Sequence, residues 1–187
     1  GQANDGLSGV IAGLELIRYF RSVPHRQTYK LLIMPETIGS VIHINAQSLS
    51  AKNVRAALFL ETMGCGERLY LKETRTGDSP MDLAIASIES EEPSIGTKSF
   101  LEPYGNDELM FDFPNVGIPS AGIQYYPFPE YHTSGDTPDI IDWDKWWFAV
   151  EIAKKLLMRL DADRPIRLKY RGAPYLSRYK LYADAVN

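Results

Sequence analysis

Residues 118–160 read IPSAGIQYYPFPEYHTSGDTPDIIDWDKWWFAVEIAKKLLMRL, and this stretch decides the fold. Its first part, 118–125, is an apolar run of strand length. A loop rich in Pro, Gly, Thr and Asp follows at 127–139 and carries His132. Residues 141–160 then place apolar side chains three and four apart, the period of an amphipathic helix. Strand, loop and helix in that order form the unit from which layered α/β sheets are built.

The chain upstream continues the alternation. Leu7, Val10, Ile11, Leu14, Ile17 and Phe20 predict a helix over 7–23, with Asp5 where an N-cap belongs and Pro24 ending it. Residues 29–34 (YKLLIM) are a continuous apolar run of the kind that a buried central strand shows, with Glu36 at its carboxyl end. A second helix is expected over 38–48, then a strand over 54–60 (VRAALFL) that terminates in Glu61. Residues 68–73 alternate like an edge or hairpin strand, 80–88 read as a short helix, and 91–113, rich in Pro, Gly, Asn and acids, as a long loop. Strands alternating with helices predict an α/β sheet covered on both faces.

With 187 residues and 44% hydrophobic side chains, the chain can bury the core of one ordinary domain but hardly of two. Twenty basic residues against 24 acidic ones give a net charge of −4, which offers no electrostatic footprint for nucleic acid or an anionic membrane. Cys65 has no cysteine to pair with, and no apolar stretch approaches the roughly 20 residues that span a bilayer. The polar opening GQANDGLSG has no signal core, reads as the middle of a longer protein, and leaves a cytoplasmic location as the expectation. After Asp161 the composition turns basic and tyrosine-rich, which divides the chain into a domain over 1–162 and a linker or following module over 163–187.

Asp5, Glu36, Glu61 and His132 each follow a strand's carboxyl end or open a helix beside one, where open α/β sheets bind ligands. Three carboxylates and an imidazole meeting there repel one another unless a cation neutralises them, and this donor set suits Zn²⁺ or a pair of divalent metals. Taken singly the residues have plainer readings: Asp5 as an N-cap, Glu36 as a helix-opening acid, His132 as a surface histidine. Trp143, Trp146 and Trp147 read as packing residues at the start of the long helix, and Cys65 as a small buried side chain without a histidine to activate it.

NDGLSG, PETIGS, LETMG, GIP preceded by Asn106 and Asp107, and HTSGDTPDIID occur in this order, and together they resemble the dizinc aminopeptidase family of bacterial leucyl aminopeptidases and glutamate carboxypeptidase. The resemblance covers about 1–160. PETIGS with YPFPEYHTSGDTPD is similar to a branch of bacterial aminopeptidase-like proteins often tied to polysaccharide gene clusters, and GAPYLSRYKLYAD resembles the start of the winged-helix module that often follows there.

The resemblance implies a three-layer α/β/α sandwich with a mostly parallel mixed sheet, one or two zinc ions, and a peptide or small amide as substrate. It makes Asp5 the bridging carboxylate, Glu61 and His132 metal ligands, and Asp107, Tyr131 and Asp136 supporting residues. The family's Glu-Glu pair is reduced here to Glu36, which takes the role of general base, with ligand as the alternative. Glu108 or Glu130 would receive a substrate's free amino group. The family's first metal histidine precedes the bridging aspartate, so either an upstream segment supplies it or the site is incomplete. The implied activity is a zinc-dependent exopeptidase, and the alternative is an inactive descendant that keeps the fold as a binding or structural domain.

Overall fold

The computed structural model describes residues 1–47, 49–164, 172 and 175–181. Its elements in chain order are α1 (Gly9–Ser22), α2 (Ile38–Gln47), β1 (Ala57–Leu60), β2 (Arg68–Lys72), α3 (Pro80–Glu91), β3 (Gly96–Lys98), α4 (Glu108–Phe111), β4 (Ser120–Tyr126) and α5 (Trp143–Ala162). The strands form one sheet in the order β1-β4-β2-β3. β1 runs parallel to β4 and β2 parallel to β3, while β2 and β4 are antiparallel, with Lys72 opposite Gly122 and Arg68 opposite Tyr126. The sheet is therefore mixed, with two of its three pairings parallel.

Alternation along the strands sorts the side chains into two cores. On one face Leu69, Leu71, Ala121 and Ile123 pack against Leu16 of α1, Ile85 and Ile88 of α3, and Ile152 and Leu156 of α5. On the other, Phe59 joins Ile44 of α2, Phe111 of α4 and Ile118. Helices on both faces make the three layers that the sequence predicts. β4, covered on both sides, is buried throughout 120–125.

The helices begin where local chemistry directs them. Ser79 and Asp82 form a reciprocal capping box at the start of α3, with Pro80 in its first turn. Asp142 caps α5 by accepting from the N–H groups of Asp144 and Lys145 at 3.0 and 3.1 Å. α1 is shorter than expected, because the turn Ala3–Ser8 precedes it and Asp5 there leaves helical geometry (φ −106°, ψ 95°). Asp5 is thus not the cap of α1.

Two expectations need correction. Residues 29–34 form no strand; the segment is half-buried and unpaired, and Leu32 and Met34 reach the second core while Ile33 stays exposed. An apolar run of this length satisfies burial as well as a strand does, and only a ladder partner separates the two. Residues 91–113 are not one long loop, since they contain β3 and α4. These elements are too short for their periodicity to show. The linker or module expected over 163–187 falls largely outside the described residues.

Trp146 is buried and donates its indole N–H to the Ser8 carbonyl at 3.0 Å, as a packing residue would. Trp143 and Trp147 are half-exposed and line a shallow apolar groove with Ile11 and Leu14 of α1. Among the described residues, no helix is long and apolar enough to cross a membrane.

Close packing of α1 on β1 depends on Gly9, where a Cβ would lie 2.1 Å from the Leu60 carbonyl oxygen. That obstacle is backbone and cannot rotate away. Gly9→Ala is expected to cost about 2–3 kcal/mol, which lowers the thermal midpoint by about 5–10 °C in a domain of this size. Gly13→Ala should cost less, because the nearest atom to its Cβ, at 2.6 Å, is the end of the Leu31 side chain. Thermal unfolding followed by circular dichroism checks both.

Candidate functional site

Asp5, Glu36, Glu61 and His132 line one pocket, together with Tyr104, Asn106, Gln124 and Tyr131. Four separate chain segments deliver the four expected residues: the turn before α1, the approach to α2, the carboxyl end of β1, and the loop after β4.

Asp136 sets the first of these. Its buried carboxylate accepts from the N–H of Asn4 at 2.7 Å and of Asp5 at 3.0 Å, which binds the turn Ala3–Ser8 to the loop that carries His132. The Asn4 side chain adds a bond to the Cys65 carbonyl at 3.0 Å and accepts from the Gly64 N–H at 2.8 Å. Asp5 Oδ2 then lies 3.3 Å from His132 Nε2. Burial raises the Asp5 carboxyl above the usual range, the His132 ring opposes that shift, and the Asp136 charge adds to it.

Asp107 plays the matching part for Glu36. It accepts from the Thr37 N–H at 2.8 Å and from the Ser40 hydroxyl, which fixes the approach to α2. Thr37 (φ 61°) and His132 (φ 58°) both hold left-handed backbone conformations, each disfavoured for a residue with a Cβ. Thr37 adjoins the pocket-lining Glu36 and His132 itself lines the pocket, so two such residues indicate a geometry over-determined by its surroundings. Asp107 and Asp136 therefore sit behind the pocket and act through the backbone, while Glu36 faces it.

Aromatic side chains close another wall. Tyr131 lies between Tyr104 (centroids 4.5 Å apart, 8° between planes) and His132 (3.8 Å, 18°). Burial pushes the Tyr131 phenol up to about 12, so it stays a proton donor across the neutral range. Gln124, fully buried on β4, also faces the pocket, and its amide nitrogen lacks a hydrogen-bond partner.

Glu61 is engaged by a residue that the sequence reading passed over. Lys72 is completely buried, and its Nζ lies 2.7 Å from Glu61 Oε1, 3.0 Å from the Tyr104 carbonyl and 2.5 Å from Glu108 Oε1. The contact to Glu108 is a charge contact rather than an aligned hydrogen bond. Glu108 is thus sealed beneath the pocket and cannot receive a substrate's amino group, and Glu130 is not among the pocket's lining residues. An alternating RLYLKE segment gave Lys72 the appearance of a solvated strand end; only the layer above it reveals the burial.

These residues fit zinc in donor type, since carboxylate and imidazole are ordinary zinc ligands. One of them, Glu61, already accepts a hydrogen bond from the Lys72 ammonium at 2.7 Å. As the side chains stand, no three His, Cys, Asp or Glu among the described residues gather into a metal-holding group. The Asp5–His132 pair supplies two of the three protein donors that one catalytic ion takes, and Glu36 lines the same pocket.

Glu61 also carries a pH signature. Burial is the largest influence on it, Glu108 adds to the shift and Lys72 opposes it, so the carboxyl is pushed up to about 8 from an ordinary 4.5. The folded state then holds a proton that the unfolded chain releases. Stability should fall as pH rises between about 5 and 8, with a slope of at most about 1.4 kcal/mol per pH unit from this one group. Denaturant titrations across that range should show the slope in the wild-type chain and lose it in Glu61→Gln.

Comparison with known proteins agrees with the fold. A Clostridium acetobutylicum protein provisionally named for polysaccharide biosynthesis and an aminopeptidase-like domain is 28% identical over 135 residues, which are 71% of this chain and 31% of that protein. A crystal structure from Clostridium acetobutylicum, provisionally named a peptidase, superposes with a TM-score of 0.80 at 24% identity over 94% of this chain and 42% of its own. A zinc aminopeptidase of Bacillus subtilis gives 0.72 at 21% identity, over 85% of this chain and 42% of its own. The chain thus spans under half the length of each of these relatives. The model of a domain of unknown function, DUF4910, matches residues 1–163, and the chain belongs to that family.

Proposed function

We propose that this chain carries the catalytic pocket of a peptidase-like amide hydrolase of the exopeptidase kind, dependent on zinc. The observation that carries the reading is the convergence of Asp5, Glu36, Glu61 and His132 on one pocket in a fold shared with aminopeptidases. Asp5 and His132 would hold a zinc ion, with a further donor from Glu36 or from elsewhere in a longer protein. A zinc ion lowers the pKa of its bound water to about 7 and polarises a carbonyl oxygen.

The chain's own groups divide the remaining work. Glu36, exposed on the pocket wall and set in place by Asp107 through Thr37 and Ser40, takes the proton of the attacking water and passes it to the leaving amine nitrogen. Tyr131, protonated at neutral pH, and the unpartnered amide of Gln124 donate hydrogen bonds to the substrate's carbonyl oxygen as charge develops on it. The stacked Tyr104 and Tyr131 offer a flat apolar wall for a small side chain beside the scissile amide.

Glu36→Gln tests the assignment. A proton-transfer residue should lose about 10²–10⁴ in turnover of aminoacyl anilides with zinc content intact, whereas a ligand should lose zinc together with activity. Elemental analysis and anilide hydrolysis on the same preparation separate the two roles. Unchanged turnover with unchanged zinc would remove Glu36 from the chemistry.

A further inference from the structure

We infer that the Lys72 ammonium is a built-in cation occupying the Glu61 pole of the pocket, so that the site takes one divalent ion, at the Asp5–His132 pole, and not two. The inference rests on the hydrolase reading above.

Three features carry it. The first is the surroundings of Nζ, where the oxygens of Glu61, Glu108 and the Tyr104 carbonyl lie at 2.7, 2.5 and 3.0 Å. Two of its three N–H groups donate, to Glu61 and to the Tyr104 carbonyl, and Glu108 adds a charge contact at 2.5 Å. Such an oxygen cage is also what a small hard cation requires.

The second is the space made for it. Lys72 starts on β2, opposite Gly122, and its side chain crosses β4 at that glycine to reach the end of β1. A Cβ at position 122 would lie 2.2 Å from Lys72 Cε, 3.1 Å from Nζ and 3.2 Å from Glu61 Oε1. The missing side chain is therefore what lets the lysine and the carboxylate meet.

The third is the balance of charge. Glu61 and Glu108 share the one ammonium, while Asp5 faces His132 at the other pole. A metal on Glu61 would sit about 2.0–2.2 Å from its oxygen and within a few ångströms of a fixed positive charge, in a largely buried part of the pocket. Repulsion between the two cations is stronger there than in bulk water. No such cation lies at Asp5: among the described residues no Lys or Arg pairs with it, and its ion contact is His132.

Zinc stoichiometry decides the matter. Purified protein dialysed against zinc and assayed by elemental analysis should retain one ion per chain. Two ions per chain would overturn the inference and leave the hydrolase reading standing, whereas none would overturn both. Lys72→Met frees Glu61 and Glu108, and the count should rise toward two in a variant whose circular dichroism is intact. A folded Lys72→Met protein that still binds one ion would also refute the inference. If that variant does not fold, the wild-type count decides alone, since it needs no substitution.

Discussion

A lysine buried without water must find oxygen, and much of the pocket's architecture follows from how Lys72 finds it. Its three neighbours come from the end of β1, from Tyr104 in the segment between β3 and α4, and from the start of α4. One side chain thus ties the sheet to the segment that roofs it. Removing a partner of a buried charge is far more damaging than replacing the whole group by apolar atoms. The position of α4, only Glu108–Phe111 in extent, is better explained by this charge and by Phe111 against Phe59 than by any helical preference of its own.

Around the pocket, the acids divide by what they touch. Asp107 and Asp136 are buried, receive backbone N–H groups and hold chain segments in place. Asp5 and Glu36 belong to the segments so held and face the cavity. Each exposed acid is positioned by a hidden one across more than 70 or 130 residues of chain, so the site exists only when the whole sheet has formed. Rigid backing of this kind is what a proton-transfer group needs, because small displacements weaken it steeply.

Much of this was legible in the sequence. α1, α2, α3 and α5 announced themselves through helical spacing, a local signal, while the caps Ser79 and Asp142 at two of their starts emerged with the structure. β1, β2 and β4 followed from short apolar or alternating runs, and the four pocket-lining residues from their place at element ends. What escaped depends on partners distant in the chain. Residues 29–34 have a strand's composition but no ladder, β3 is three residues long, and Lys72 looks like any solvated lysine until Glu61 and Glu108 are brought to it. Glu61 itself was found, but its engagement by an ammonium was not, because no spacing rule links residues 61, 72 and 108.

Gly122 gives the arrangement a history-dependent character. A side chain there collides with Lys72, and a shorter residue at 72 leaves two carboxylates facing an empty channel. The two positions touch, so the effects of changing them do not add and they form an epistatic pair. A descendant could exchange its internal cation for another arrangement only by passing through a weakened intermediate or by altering both residues together. The glycine therefore acts as a ratchet: once the lysine lies across it, single substitutions no longer lead back.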